Sequence, residues 1–433
     1  MKKGEIYEGT VERIEFPNKG VVVIDGEKAI VKNALPGQKI RFRINKKRGG
    51  RCEGMLLEVV EHSKLETAED VCPHFGICGG CLYQPIPYEE QLAIKEKQVR
   101  SLLDAVCPEY EFEGILGSPL VQGYRNKMEF SFGDEVKDGP MSLGMHKRGS
   151  FYDVVTTGEC HIVHPDFCKI LVCTKEYFEE KKVGFYKKMQ HTGYLRHLLV
   201  RRAIKTGEIL VDLITTTQTD TFEGTEEALL RGWTERLQAL PMEGSFAGIL
   251  HTKNDTLADA VKDEGTDILF GREHFYEELL GLRFQISPFS FFQTNSLGAE
   301  VLYETYAKTI NIEALTMVDM ANKQIIPAVM KYSKSLADAV IAITEAGGDT
   351  YVPTRMLQQI TQKLTEMEKA SEALLEVEKK ASAMERGKEQ AFCYHDEVMV
   401  AMNALRKPAD ELEKLVDKKY WPFPTYADLL FEV

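Results

Sequence analysis

The chain of 433 residues lacks any uninterrupted apolar run that approaches the roughly 20 residues of a transmembrane helix. Its mean hydropathy is −0.26, and no apolar segment follows the lysines at the N-terminus. These absences argue against a membrane protein and against a secretory signal peptide. The nine cysteines are odd in number and too few for a disulfide framework in a chain of this length. We therefore expect a reducing, cytoplasmic location.

The chain also lacks an excess of positive charge. It contains 54 Lys and Arg against 67 Asp and Glu, which gives a formal net charge of −13. Any contact with nucleic acid must therefore depend on local basic surfaces and not on the overall charge. The length predicts about two to four domains.

Against this background, one cysteine-rich stretch is prominent: Cys72-Pro-His-Phe-Gly-Ile-Cys78-Gly-Gly-Cys81. Its three thiols lie within ten residues, and the glycines between them let the backbone fold tightly. The stretch is typical of a metal-binding loop that needs a fourth ligand from elsewhere in the chain. The remaining cysteines are scattered: Cys52, Cys107, Cys160, Cys168, Cys173 and Cys393.

Residues 1–62 show short alternating segments separated by Gly, Pro, Asn and Asp, which predict a small all-β unit. Five such strands fit an OB-like barrel. The alternation places Arg41 and Arg43 on one face, and the following turn collects Lys46, Lys47 and Arg48. Two interpretations stay open for these cations: a phosphate-contacting surface, or a solvated hairpin. The predicted strands are Glu5–Phe16, Gly20–Ile24, Lys28–Val31, Lys39–Ile44 and Gly54–Val60.

Residues 115–290 predict a mixed α/β region. Arg125 and Lys127 begin one strand, and Lys147 and Arg148 follow its predicted partner. These cations are either RNA contacts or ordinary solvated loop residues. We expect His197 to face the polar side of the sheet and not to be a ligand. The other predicted elements are strands Leu195–Arg202, Ile209–Thr215 and Gly248–Thr252 and a helix Thr225–Leu240.

The first 306 residues resemble the RNA uracil-5-methyltransferase family, which includes the 23S rRNA (uracil-5-)-methyltransferases. Val31-Lys-Asn-Ala-Leu-Pro-Gly37 resembles part of a TRAM domain, and the cysteine loop is similar to the family's iron-sulfur loop. In that family a later cysteine precedes a His and a Pro. Cys160 matches it in Thr157-Gly-Glu-Cys160-His161-Ile-Val-His164-Pro165. The resemblance implies a [4Fe-4S] cluster on Cys72, Cys78, Cys81 and Cys160.

The residues themselves leave alternatives open for this site. Zinc also accepts four thiolates, but its structural sites usually pair two CxxC-type knuckles, whereas here three thiols share one loop. Cys168 and Cys173 compete with Cys160 for the fourth position, although their apolar surroundings favour burial as small hydrophobes. The cluster is either redox-active or a structural link between distant segments.

The resemblance also implies a substrate and a second cofactor. The family acts on RNA, here expected to be rRNA, and takes its methyl group from S-adenosylmethionine. The stretch Ser287-Pro-Phe-Ser-Phe-Phe-Gln293 resembles the family's entry into its methyltransferase domain, which implies that Gln293 contacts S-adenosylmethionine. The complete enzyme would transfer the methyl group to C5 of a uridine.

After Tyr306 the family's catalytic motifs are not found. Asp319 is followed by no glycine-rich turn, and Cys393 lies in a helical pattern and not in a loop that presents a nucleophile. We therefore predict no catalytic residue. Gly347-Gly348 is expected to be a linker between helices. Helices are predicted at Ala314–Ser333, Thr354–Arg386 and Gln390–Asp417, as a bundle or a coiled-coil hairpin.

Two C-terminal stretches resemble type III glutamine synthetases: Asn311-Ile-Glu-Ala-Leu-Thr-Met317 and residues 406–431. The fold prediction is therefore a multidomain α+β protein, with an α-helical bundle or hairpin in place of a Rossmann-like methyltransferase domain. The predicted domains are a TRAM/OB-like barrel (1–62), the iron-sulfur loop with a connecting helix (63–114), a central α/β domain (115–306) and a glutamine synthetase-like helical region (307–433).

The predicted function is that of an RNA uracil-5-methyltransferase family protein that is a hybrid without its catalytic domain, and hence inactive. One alternative is a non-catalytic iron-sulfur RNA-binding protein whose helical tail mediates self-association or binds a helical partner. Another is a fragment associated with glutamine synthetase. Whether the junction is a natural fusion or a product of genome assembly stays open.

Overall fold

The computed structural model describes residues 1–107, 109–257, 261–262, 264–385 and 388–424. The chain divides into two compact units. The first comprises Met1–Leu279 and Arg283–Gly298, and the second comprises Leu280–Leu282 and the chain from Ala299 onward. No helix in the described ranges is long and apolar enough to cross a membrane.

The first five strands close into a barrel in the order β1-β2-β3-β5-β4. Alternation along β4 buries Ile40, Phe42 and Ile44 in the barrel core and leaves Arg41 and Arg43 outside. The predicted small barrel is confirmed. Its strands are β1 (Ile6–Glu15), β2 (Lys19–Ile24), β3 (Glu27–Lys32), β4 (Lys39–Arg48) and β5 (Arg51–Glu61).

After the barrel come helix α1 (Tyr88–Asp104) and a seven-stranded sheet in the order β12-β11-β10-β9-β6-β7-β8. The pair β10 and β11 is parallel, and the other described pairs are antiparallel. The strands are β6 (Lys127–Asp134), β7 (Met141–His146), β8 (Val154–Thr156), β9 (Leu195–Arg202), β10 (Glu208–Thr215), β11 (Ser245–Lys253) and β12 (Thr266–Gly271), with helices α2 (Pro165–Glu180) and α3 (Glu226–Gln238) and a short 3-10 turn (Thr219–Thr221).

Helices α2 and α3 cover one face of this sheet, where Leu198 and Val200 pack with Phe178 and Trp233 in the main core. A hairpin, β13 (Phe275–Leu279) and β14 (Leu282–Ile286), contributes to a smaller core with Leu210 and Leu250. His197 alternates with Leu198 and is buried, with its Nδ1 3.4 Å from Ser131 Oγ. The side chain of His197 thus has a polar neighbour, as predicted, but it is buried.

Helix α2 begins with a buried carboxylate, Asp166. Burial alone would raise the pKa of Asp166, but hydrogen bonds from the backbone N–H groups of Gly244 and Glu243 and from Arg202 outweigh it, so the pKa is lowered. The Arg202 Nε atom lies 3.1 Å from Asp166 Oδ2. This network fastens α2 to the sheet and to the turn before β11.

The second unit is helical. Asn295 Oδ1 accepts from the Gly298 N–H at 2.8 Å at the start of α4, which then runs without a break across the predicted domain boundary at residue 307. Gly347 adopts a φ of +71° in the predicted linker between α5 and α6. The helical C-terminal region is confirmed: α4 (Ser296–Met320), α5 (Ile326–Glu345), α6 (Tyr351–Ala383), α7 (Lys388–Phe392) and α8 (Met399–Leu415), with π-helical segments Ala321–Ile325 and Cys393–Val398.

Candidate functional site

Four cysteines line one cavity of about 660 Å³ in the first unit. Cys72, Cys78 and Cys81 lie in the loop before α1, and Cys160 lies just before α2. All four are free thiols. The fold therefore brings together, from two distant segments, the four residues that the sequence predicts as cluster ligands.

Backbone hydrogen bonds make the cysteine loop compact. The Phe75 N–H donates to the Cys72 carbonyl and the Cys78 N–H to the His74 carbonyl, both at 2.9 Å. The Gly79 N–H donates to the carbonyl of His146 on β7, also at 2.9 Å. A Cβ at position 79 would approach that same oxygen to 3.0 Å, so glycine allows the loop to dock against the strand.

The thiols combine burial with nearby hydrogen-bond donors. The Gly80 N–H lies 3.4 Å from Cys78 Sγ, and Gln84 Nε2 lies 3.4 Å from Cys81 Sγ. Burial raises the pKa of the Cys78 and Cys81 thiols, and it raises the pKa of Cys160 to about 12. Protonated thiols are poor nucleophiles, whereas a bound cation would offset the cost of forming thiolates here.

The four thiols are a candidate donor set for a metal centre. In the described part of the chain, no group of three or more His, Cys, Asp or Glu residues is arranged to hold a metal ion. Zinc would need its thiolates at about 2.3 Å from one point. An all-sulfur donor set is the one that iron-sulfur clusters use, and zinc accepts the same four thiolates.

The other candidate cysteines do not line the cavity. Cys173 is 5% exposed and belongs to the main core, as its apolar surroundings indicate. Cys168 Sγ lies 3.9 Å from the Cys160 carbonyl but does not line the cavity. Cys393 is buried in the second unit, where burial raises the pKa of its thiol.

Arg148, a predicted RNA contact, touches the cysteine loop. Its Nη2 donates to the Cys81 carbonyl at 2.5 Å, and its guanidinium carbon lies 5.5 Å from the centre of the Phe75 ring. Burial lowers the pKa of Arg148. Lys147 forms an isolated backbone bridge with Cys78, and its Nζ lies 3.8 Å from Glu135 Oε1. Arg148 therefore stabilises the loop, and RNA contact by these two cations stays a prediction.

The predicted barrel cations are all exposed, and all lie on β4: Arg41, Arg43, Lys46, Lys47 and Arg48. The predicted turn position of the last three is wrong, because β4 extends to Arg48. Several have acidic neighbours, with N–O distances of 2.6 Å from Arg41 to Glu58, 2.9 Å from Lys47 to Glu27 and 3.7 Å from Lys46 to Glu53. Exposed ion pairs of this kind are weak, so a phosphate can displace them. Both interpretations of this surface remain open.

The backbone of Gln293 is held by the central sheet. Asn126 Nδ2 donates to the Gln293 carbonyl and to Ser296 Oγ, each at 2.8 Å. Ser296 Oγ in turn donates at 2.8 Å to Glu277, which is fully buried. The side chain of Gln293 is exposed. The fold thus fixes this segment and leaves the amide of Gln293 accessible to a ligand.

Two further residues belong to this region although the sequence analysis did not identify them. Glu277 also accepts from the backbone N–H groups of Ile204 at 2.7 Å and Lys205 at 3.1 Å. Arg201 pairs with Lys127 across strands β9 and β6. The sequence pattern could place Arg201 opposite Lys127 only if the pairing of the two strands were known. Glu277 lies among several other acidic residues, and nothing in the sequence distinguishes it from them.

Comparison with known proteins gives matches to a family model, to related sequences and to a solved structure. Residues 293–344 match the family model of the glutamine synthetase C-terminal domain. An uncharacterized RNA methyltransferase of Clostridium acetobutylicum is 48% identical over 304 residues, which cover 70% of this chain and 65% of that protein. One of Caldanaerobacter subterraneus is 45% identical over 306 residues, covering 70% and 66%. The chain therefore spans just under two thirds of the length of these relatives.

A solved structure also resembles this chain. The crystal structure of Pyrococcus abyssi tRNA (uracil-54, C5)-methyltransferase in complex with S-adenosyl-L-homocysteine has a TM-score of 0.50 and 24% sequence identity. The match covers 70% of this chain and 64% of the other. At this level of identity the likeness shows a shared fold.

Proposed function

We propose that this chain is an RNA-binding protein of the RNA uracil-5-methyltransferase type, and that its four cavity cysteines hold a [4Fe-4S] cluster. The main support for the proposal is that Cys160 lines the same cavity as the three cysteines of the loop. The relatives described as RNA methyltransferases support the RNA partner.

The proposed cluster would hold distant parts of the first unit together. Cys72, Cys78 and Cys81 would supply three thiolates and Cys160 the fourth, so that the loop before α1 is tied to the start of α2. When bound, the cluster would cross-link the loop before α1 to the start of α2 through iron-thiolate bonds. Arg148 on the loop backbone and Gln84 near Cys81 Sγ orient the ligands.

Iron content tests the cluster. The whole chain purified without oxygen should contain about four iron and four sulfide ions, the stoichiometry of one [4Fe-4S] cluster. Cys160→Ser should lose most of this iron. Cys107→Ser is the matched control, because Cys107 is exposed and does not line the cavity. A colourless zinc protein, or unchanged iron in the Cys160 variant, would refute the assignment.

Methyl transfer is a separate proposal. In the described residues after Ile286 every regular element is helical, so this part of the chain contains no sheet of the kind that binds S-adenosylmethionine. We propose that Gln293 contacts the methionine cofactor in the complete enzyme, and that this chain alone binds RNA without methylating it. Labelled S-adenosylmethionine should give no incorporation into unmodified rRNA or tRNA, and incorporation that depends on the chain would overturn this point.

Two alternatives follow from the helical unit. As a non-catalytic iron-sulfur RNA-binding protein, the chain would use helices α4–α8 for self-association, which sedimentation of the pure protein would reveal. The family-model match over residues 293–344 favours a second idea, assembly with glutamine synthetase. Co-purification of the two proteins from a mixture of pure components would support it, and their separate elution would exclude it.

A further inference from the structure

Arg201 is a buried cation with an incomplete set of partners. It is 2% exposed, and its Nη2 donates to the Ser290 carbonyl at 2.5 Å. Its Nε is enclosed and has no hydrogen-bond partner among the described residues. Burial lowers the pKa of Arg201 to about 10, and in the described part of the chain no carboxylate opposes this shift. A buried guanidinium without a counter-charge is costly to the folded chain.

The neighbours of Arg201 increase this cost. Lys127 stands directly opposite it in the antiparallel register of β6 and β9. Burial lowers the pKa of Lys127, with Arg201 and Arg125 acting in the same direction and Glu129 in the opposite one. Like charges at directly opposed strand positions repel. An arrangement of this kind is stabilised when an anion enters between the two cations.

We propose that Arg201 and Lys127 form a binding site for one phosphodiester group of the RNA. This inference rests on the proposed RNA-binding function and extends it to a residue outside the predicted contacts. A phosphate oxygen supplies the acceptor that the Arg201 Nε lacks, and guanidinium groups match phosphate geometry well. Lys127 is only half-buried, so its side of the pair is accessible to solvent, whereas the Arg201 Nε is enclosed.

RNA binding by the whole chain tests the site. A single-stranded RNA should bind Arg201→Gln about tenfold more weakly than the unchanged chain, because a charge-assisted contact is lost. The slope of log affinity against log salt should fall by about 0.7, the value for one phosphate contact on a single strand. Lys127→Met should act in the same direction, and it leaves the Ser290 hydrogen bond intact. Arg231→Gln, on the exposed surface of α3, is the matched control.

Thermal unfolding separates failure of the site from failure of the RNA function. Without added anions, Lys127→Met should unfold at a higher temperature than the unchanged chain, because it relieves the repulsion. At matched ionic strength, inorganic phosphate should raise the unfolding temperature of the unchanged chain and of Arg231→Gln more than that of either site variant. If phosphate stabilises the chains in this way but the unchanged chain does not bind RNA, the anion site is supported and the RNA-binding function is refuted. If the site variants bind RNA and respond to phosphate in the same way as the unchanged chain, the proposed site is wrong and the RNA-binding function is unaffected.

Discussion

The buried carboxylate of Glu277 should be a main determinant of the stability of the first unit. It accepts hydrogen bonds from the Ile204 and Lys205 N–H groups and from Ser296 Oγ, at 2.7, 3.1 and 2.8 Å. Each charge-assisted hydrogen bond contributes about 1.5–3 kcal/mol, and buried donors left without an acceptor add to the loss. Glu277→Ala removes the carboxylate that accepts all three hydrogen bonds, and because contributions within one network are not additive we expect a loss of about 3–5 kcal/mol.

Tryptophan fluorescence can measure this loss of unfolding free energy in the first unit alone. The chain has two tryptophans, and Trp233 is fully buried in the main core of the first unit. In a Trp421→Phe background, Trp233 alone reports urea unfolding of that unit, which avoids treating two units as one transition. Glu277→Gln keeps the shape and should lose about 1.5–3 kcal/mol.

Glu278→Gln is the matched control for both variants. Glu278 is the next residue along β13 and is exposed, so its substitution should change the unfolding free energy by less than about 0.5 kcal/mol. If Glu277→Ala were as stable as this control, the claim that Glu277 fixes the segment that carries Gln293 would be wrong.

Two further predictions concern the start of α2 and the cysteine loop. The lowered pKa of Asp166 contributes stability that is present above the carboxyl's unfolded value of about 3.8 and is lost as the pH falls through its lower folded value. Asp166→Asn should therefore lower stability at neutral pH and flatten the decline in the unfolding temperature below about pH 4, and an unchanged decline would contradict this assignment. Arg148→Met removes the hydrogen bond to the Cys81 carbonyl and the cation over Phe75, so the chain should lose iron several-fold faster in air, whereas Lys147→Met should not.

The sequence predicted much of the first unit because its signals are local. Strand alternation and turn residues defined the barrel, and strand β9 was predicted at Leu195–Arg202, where the structure has it. The C-terminal helices were also predictable, because their apolar residues recur at three and four. The predicted boundary at residue 307 depended on a resemblance, whereas α4 runs across that position as a single helix.

Other features depend on contacts that no local pattern encodes. The resemblance implies an RNA contact for Arg148, and this stays a prediction, but its contacts with Cys81 and Phe75 could be known only from the fold. The polar surroundings of His197 followed from alternation, but its burial did not. The amide of Asn126 holds the Gln293 segment although the two residues are far apart in sequence.

The sequence by itself determined the small barrel, the helical C-terminal region and the presence of three thiols in one loop, because each follows from residue types at short spacing. Only the tertiary structure decided that Cys160 reaches the same cavity, since that depends on how β7, β8 and α2 pack. The same holds for Arg201. Burial encloses its guanidinium and strand register places it opposite Lys127, and neither is a property of the sequence near it.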